Sequence, residues 1–418
     1  NTPERFKSYG WNVIAEVDGH DFQSIDKALE DAKSSNLPTL ICCKTEIGKG
    51  SPNKSGSADA HGAALGEEEI KLTRENIKWQ HEPFEIPEEI YEAWDHKKQG
   101  QESEEKWQEI LSDFEKNYPE DSKELHRLIT GSLPSNFEST IENLINNFSE
   151  DENSYASRKC SGMCLDAIGP IMPELIGGSA DLSPSNNTEW KGTSHLAEDG
   201  SGNYLNYGVR EFGMSAIMNG MILHGGIRPY AGTFLTFLDY ARNAVRMSAL
   251  MKLPVIYVYT HDSIGVGEDG PTHQPVEHIS MLRITPGIYT WRPCDGVETA
   301  CAWKFALESK SAPSALILSR QSLDAQKRET NDPIFLGGYE LASDQNPKIT
   351  LVASGSEVGL AMKVRDQLNE QKISSRVVSM PCTEIFDEQS PEYQRETLGS
   401  LPKIFIEAGQ SDFWKKYC

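Results

Sequence analysis

No run in the chain approaches the roughly 18 apolar residues of a membrane-spanning helix, which excludes a helical membrane protein. Basic residues are in short supply: 40 Lys and Arg stand against 63 Asp and Glu, giving a net charge of −23 and a pI of about 4.9. Nucleic acid is thereby excluded as a partner, because neutralising its phosphates needs a basic surface. Anionic small molecules are not excluded, since a local basic pocket can sit in an acidic protein. Repeats and low-complexity tracts are absent, so the chain is no repeat array. The eight cysteines form no C-x-x-C pair; Cys42 and Cys43 are adjacent, and Cys160 and Cys164 lie one helical turn apart. This fits reduced thiols in a cytoplasmic protein better than a disulfide framework. No signal-peptide pattern opens the chain, although a start at Asn1 without methionine takes most of the weight from that absence.

What is present is ordinary globular composition over 418 residues, 38% hydrophobic and 25% charged, enough for two or three domains with real cores. Three textures follow one another. Residues 1 to about 120 open with a strand-like run at Trp11–Val17, a helix near Ile25–Ala32 and a second apolar run at Thr39–Lys44, the strand–helix–strand order of a parallel sheet. A Gly/Ser/Pro-rich loop spans Gly48–Gly66. The acidic stretch from Glu82 to Glu150 reads as a solvated helical linker. In the middle region, Leu175–Asp181 reads as a strand entering a loop, Met214–Leu223 and Phe234–Met251 as helices, and Val255–Tyr259 and Ala315–Ser319 as buried strands. The last region offers strand Ile349–Ala353, loop Ser354–Ser356, a helix from Glu357 to about Gln371, and strands at Ser375–Met380 and Ile404–Ala408. The chain ends soon after that last strand, where a sheet would be expected to continue.

Three segments carry chemistry. The first is Thr260-His-Asp-Ser-Ile-Gly-Val-Gly-Glu-Asp-Gly-Pro-Thr-His-Gln-Pro, which follows a strand and so falls at a carboxyl end, where α/β proteins bind ligands. Its Gly265-x-Gly267-x-x-Gly270 matches the dinucleotide fingerprint only by letter, because Glu268 and Asp269 fall inside the turn that would hold a pyrophosphate and Pro271 follows. A metal site from His261, Asp262, Asp269 and His273 is conceivable, but no helical i, i+4 pairing supports it. The better reading is a polar loop presenting two histidines and a carboxylate to a hydroxylated substrate. The second segment is Tyr207-Gly-Val-Arg-Glu-Phe-Gly-Met, where Glu211 lies among Val209, Phe212 and Met214. A lone Glu on a helix is ordinarily a solvated charge; apolar surroundings can instead fit a carboxyl for proton transfer. In the third segment Phe234, Phe237 and Tyr240 are spaced by three, either a core-facing helical stripe or an aromatic wall for a flat heterocycle.

At these segments the chain resembles the transketolase family, and the likeness runs along its whole length. It includes Lys44-Thr-Glu-Ile-Gly-Lys-Gly-Ser-Pro-Asn-Lys, His61-Gly-Ala-Ala-Leu-Gly, Gly177-Gly-Ser-Ala-Asp-Leu-Ser-Pro-Ser-Asn, Arg292-Pro-Cys-Asp, Leu316-Ile-Leu-Ser-Arg-Gln and Ala353-Ser-Gly-Ser-Glu-Val. The resemblance implies an α/β, three-domain thiamine-diphosphate-enzyme architecture of parallel sheets flanked by helices, with the first and third domains incomplete. Residues 1–122 would be the end of a pyrophosphate-binding domain plus linker, 123–330 a pyrimidine-binding domain, and 331–418 part of a C-terminal domain. It further implies a homodimer with active sites at the subunit interface, and transfer of a two-carbon ketol unit between sugar phosphates in the pentose phosphate pathway or Calvin cycle.

By the same resemblance, Glu211 would hydrogen-bond the pyrimidine ring of thiamine diphosphate and favour the imino tautomer that takes the thiazolium proton. Phe234, Phe237 and Tyr240 would pocket that ring. Arg158, Ser185, His261 and Arg320 would hold the sugar phosphate, a set that suits a dianion. Asp269 would read the hydroxyl beside the reacting carbon, and His61 and His273 would bond substrate hydroxyls and move protons. The family's Gly-Asp-Gly segment and following Asn, which hold the diphosphate and Mg²⁺ (or Ca²⁺), have no matched pair here, so no metal ligand is named; they would precede Asn1. Two rival readings are a dihydroxyacetone synthase-like transfer to formaldehyde and a catalytically silent chain that only dimerises.

Overall fold

The computed structural model describes residues 1–267 and 269–418; Glu268 lies outside the described residues. The chain divides into two compact units, Asn1–Ile110 and Leu111–Cys418.

In the first unit, β1 (Asn12–Asp18), α1 (Phe22–Lys33) and β2 (Thr39–Lys44) form a strand–helix–strand turn with the two strands parallel, as their order in the sequence suggests. Asp21 caps α1 by accepting from the amides of Gln23 and Ser24, which fixes where the helix starts. The loop after β2 is held by α2 (Glu67–Asn76): buried Glu69 accepts from Asn53 N at 2.9 Å and from the Ser51 hydroxyl.

The second unit is built on two sheets. Helices α3 (Phe137–Glu150) and α4 (Ser157–Ile168) lead into β3 (Leu175–Ser179), β4 (Tyr204–Asn206), α5 (Glu211–His224), β5 (Arg228–Phe234), α6 (Leu238–Leu250) and β6 (Ile256–Thr260). Then come α7 (His278–Arg283), β7 (Tyr289–Trp291), α8 (Gly296–Glu308) and β8 (Ser314–Leu318). The six strands make one all-parallel sheet in the order β4-β3-β5-β6-β8-β7. Both faces are covered, so its central strands are apolar on both sides. In β6, Ile256 and Val258 join the core that includes residues of α3, α4 and α8, while Tyr257 and Tyr259 join the core that includes residues of α5 and α6. The second sheet follows: β9 (Tyr339–Ser343), β10 (Ile349–Ala353), α9 (Glu357–Glu370), β11 (Ser375–Ser379) and β12 (Lys403–Ile406), ordered β9-β11-β10-β12 with only β9 antiparallel.

Two expectations are corrected. Phe234–Met251 is not one helix: Phe234 ends β5, Leu235–Phe237 form a 3₁₀ turn, and α6 begins at Leu238. The run Arg228–Phe234 pairs on both sides as a central strand, and that pairing overrides the helical spacing of its aromatic end. Nor is the whole acidic stretch solvated. Phe137, Ile141, Leu144, Ile145 and Phe148 are buried on one face of α3, a 3.6-residue period hidden among Asn and Glu.

Close packing shows in Gly177. A Cβ there would stand 2.6 Å from Tyr230 Cζ and 2.8 Å from Tyr204 Cδ2. Both rings are fully buried, and each hydroxyl donates at 2.7 Å, Tyr230 to Thr188 O and Tyr204 to Ser183 Oγ. Gly177→Ala is expected to cost about 1–3 kcal/mol of stability, the usual range for overpacking, read as a lower denaturant midpoint.

Candidate functional site

The parallel sheet creates the site by aligning the carboxyl ends of neighbouring strands. Past β3 lies the short helical turn Ser183–Asn186; β5 ends in Phe234, β6 in Thr260 before His261, and β8 is followed by Ser319 and Arg320. Four sequence segments more than a hundred residues apart in extent thus meet at one edge.

A hydrogen-bond relay orders this edge. Ser179 Oγ donates to Gly232 O at 3.1 Å, Asn186 Nδ2 donates to Ser179 Oγ at 3.3 Å, and Thr260 Oγ1 donates to Asn186 Oδ1 at 2.8 Å. Thr260 Oγ1 also lies 2.9 Å from His261 Nδ1. With its proton already given to Asn186, the hydroxyl can only accept from Nδ1–H, which leaves Nε2 as the ring's remaining polar atom. His261 is 3% exposed, and its backbone is left-handed with φ of 60°.

Charge gathers round this ring. Arg158, at the start of α4, donates from Nη1 to Ser185 O at 2.5 Å, and Arg320 donates from Nη1 to Val266 O at 3.4 Å. Burial and the nearby Arg320 charge lower the Arg158 pKa. Burial, then Arg158, Arg320 and His273, push His261 down to about 3 from its ordinary 6.5. His261 is therefore neutral near pH 7 and is expected not to titrate between about pH 5 and 8 in an NMR titration. Because the folded value lies below the unfolded one, its contribution to stability is present above pH 6.5 and is lost as pH falls towards 3.

The aromatic triplet forms a ladder rather than a helical stripe. Phe234 and His261 have ring centroids 3.7 Å apart, Phe234 and Phe237 stack at 5.7 Å with planes 11° apart, and Phe237 lies 6.0 Å from Tyr240. The ladder runs from buried Phe234 to Tyr240, which is 66% exposed, so it is a wall open at one end rather than core. His273 meets the edges of Phe237 at 5.3 Å and Phe234 at 6.1 Å. Thr236 Oγ1, donating to Thr272 O at 3.3 Å, docks the turn that carries His273.

Glu211 is the first residue of α5, where a carboxylate suits the positive end of the helix dipole. It is buried, at 7% exposed, but its apolar neighbours are not all around it: Val209 is 73% and Phe212 52% exposed. α5 packs on β5 and α6, the elements that carry the aromatic ladder. Asp269 lies exposed in the turn after Gly267. His61 belongs to the first unit and is exposed there, after the turn Ala58–Ala60. The second unit thus brings together Arg158, Ser185, His261, His273, Arg320, Phe234, Phe237 and Tyr240. Asp262 is not available to a metal: Arg292 Nη2 donates to its Oδ2 at 2.7 Å.

Three family models cover almost all of the chain: the transketolase thiamine diphosphate binding domain matches residues 1–134, the transketolase pyrimidine binding domain 153–326, and the transketolase-like C-terminal domain 337–418. Transketolase 2 of Vibrio parahaemolyticus is 54% identical over 423 aligned residues, covering 100% of this chain and 64% of that protein. The chain belongs to the transketolase family. Transketolase 1 of Escherichia coli is 50% identical over the same coverage. Among solved structures, transketolase from Leishmania mexicana superposes with a TM-score of 0.92 at 37% identity, covering 99% of this chain and 62% of that one. A Pichia stipitis transketolase in complex with sedoheptulose-7-phosphate gives 0.92 at 40% identity, covering 99% and 62%. The chain therefore spans about 64% of the length of the curated relatives it matches.

Sequence reasoning missed the relay of Ser179, Asn186 and Thr260, whose members are ordinary polar residues far apart in the chain. It also gave Arg292 no role, although an arginine directly after the apolar run Ile288–Trp291 signals a buried charge that must find partners.

Proposed function

We propose that this chain works as a transketolase, moving a two-carbon ketol unit from a ketose phosphate such as xylulose 5-phosphate to an aldose phosphate such as ribose 5-phosphate or erythrose 4-phosphate. The observation that carries the reading is the pairing of Arg158 and Arg320 around a neutral, buried His261 beside an open aromatic wall. Two like charges held close suit a phosphate dianion, and guanidiniums bind it in bidentate fashion. The sugar phosphate in the Pichia stipitis relative supports the same substrate class.

The residues also fit thiamine diphosphate: a flat ring would lie against Phe234, Phe237 and Tyr240, and Glu211 would bond the pyrimidine. When bound, this cofactor supplies the electron sink that lets a carbon–carbon bond next to a carbonyl break. Glu211 would hold a proton at the pyrimidine, and Ser185 with Arg158, His261 and Arg320 would anchor the sugar phosphate. His273 and His61 would move protons at substrate hydroxyls, and Asp269 would read the hydroxyl beside the reacting carbon. Mg²⁺ or Ca²⁺ would accompany the diphosphate; no group of His, Cys, Asp and Glu among the described residues is arranged for a metal, and no ligand is assigned. The domain reading is 1–122, 123–330 and 331–418. Exposed apolar residues along α5 and α6 (Phe212, Ile217, Leu223, Tyr240, Leu250) support a homodimer. All eight cysteines are free, which supports a cytoplasmic setting; no helix of the described residues is long and apolar enough to cross a membrane.

The test is ketol transfer from xylulose 5-phosphate to ribose 5-phosphate by the intact protein with thiamine diphosphate and Mg²⁺. Turnover is expected. Transfer to formaldehyde without transfer to ribose 5-phosphate would overturn the reading in favour of a dihydroxyacetone synthase.

A further inference from the structure

His261 stands next to a residue that reaches away from the site. Asp262 is 2% exposed, and its Oδ2 accepts from Arg292 Nη2 at 2.7 Å and from Ser356 Oγ at 3.1 Å. Arg292 is fully buried. Its Nη1 donates to Ser354 O at 2.8 Å and to the Glu357 carboxylate, and its backbone N donates to Pro381 O at 2.7 Å. Behind Ser354 stands Glu407, which accepts from Ser354 Oγ at 2.6 Å, from Arg283 Nη1 at 2.9 Å and from Trp414 Nε1 at 2.8 Å. The loop Ser354–Ser356 that grips Arg292 is shaped for it: Gly355 has φ of 54°, and a Cβ there would stand 2.6 Å from Arg292 Cγ. Apart from Ser263, whose hydroxyl donates to Asp262 Oδ1 at 3.4 Å, every side-chain partner of this arginine–aspartate pair among the described residues comes from the region matching the C-terminal domain, residues 337–418.

The backbone at His261 needs such an anchor. A left-handed conformation at a residue other than glycine is strained and persists only when its surroundings fix it. Thr260 holds the ring at Nδ1, Phe234 covers its face, and Asp262, the next residue, is held by Arg292 and Ser356. Asp262 follows His261 directly, with Cα atoms about 3.8 Å apart, so a shift of Asp262 pulls on the His261 backbone.

We propose that Asp262 is a positioning residue for His261, and that the C-terminal region sets its place, through Ser356 directly and through Glu357 and Glu407 by way of Arg292. This gives that region a part in substrate selection: it tunes the phosphate grip without touching substrate. The inference rests on the reading of His261 as a phosphate-binding residue.

The experiment compares Asp262→Asn and Ser356→Ala with the unmodified holoenzyme, measuring KM and kcat for a ketose 5-phosphate and for the same ketose without phosphate. Ser356→Ala removes one hydroxyl of a half-buried loop residue, with circular dichroism as the check on folding. A rise in KM of about tenfold for Asp262→Asn and about threefold for Ser356→Ala is expected with the phosphorylated donor alone, as for a small misplacement of a binding group. Ser379→Ala, which removes a buried hydroxyl of β11 bonded to Glu298 of α8, is the control and should leave the ratio of the two KM values unchanged. Equal KM changes for both donors, or an unchanged ratio in the two test variants, would overturn the proposal. His261→Ala separates the two readings. Should it leave the phosphorylated donor's KM unchanged, the phosphate reading fails; the clamp is then judged by the His261 ring resonances, which must move in Ser356→Ala for it to stand and refute it by staying put.

Discussion

Glu211→Gln is expected to lower kcat for ketol transfer by about 10²–10⁴-fold, the usual worth of a positioned proton-transfer group. The side chain keeps its size, and its place at the start of α5 is unaltered, so binding of the sugar phosphate should change little. On the proposed reading, what is lost is a carboxyl that would share a proton with the pyrimidine, and a neutral amide cannot replace it. The check is steady-state kinetics at saturating thiamine diphosphate, with circular dichroism to show that the fold is retained. A variant that keeps more than a tenth of the activity would remove Glu211 from the chemistry and leave it as a helix-start carboxylate.

Arg292→Met should cost about 3–5 kcal/mol of stability, because removing one partner of a buried ion pair leaves uncompensated charge behind. Three carboxylates depend on this guanidinium: Asp262 at 2.7 Å, Glu357 in direct contact and Glu407 at 3.7 Å. Burial works against the charge on Arg292, but Glu357, Asp262 and Glu407 together raise its pKa. Glu407 gives the converse: burial would raise it, yet Arg283 and Arg292 hold it down to about 2. Urea unfolding followed by tryptophan fluorescence measures the effect, since Trp291, Trp303 and Trp414 are all buried in this unit. A midpoint unchanged from the parent would show that the carboxylates find other partners. The loss would be a large fraction of the roughly 5–15 kcal/mol that stabilises ordinary domains.

The sequence by itself determined many of the strands and helices and the residue types of the candidate site. The limits of β2 and β10, the strand–helix–strand order of the first unit and the helix from Glu357 were legible because local periodicity and caps set them. The motif around Glu211, the histidine loop and the aromatic triplet were legible as residue types in order, and their family likeness suggested the roles proposed for them. Tertiary structure alone decided the rest. Phe234 spaced itself like a helical residue but became a strand end, because β5 is flanked by β3 and β6 and strand pairing outweighs local spacing. The buried face of α3 depended on which helices it packs against, and its acidic composition concealed it. The neutral state of His261 arises from burial and two arginines distant in sequence, and the Asp262–Arg292 clamp from charges that could only find one another once two sheets were packed together. Electrostatic contacts act through space, so a chain order cannot state them until the fold has set the distances.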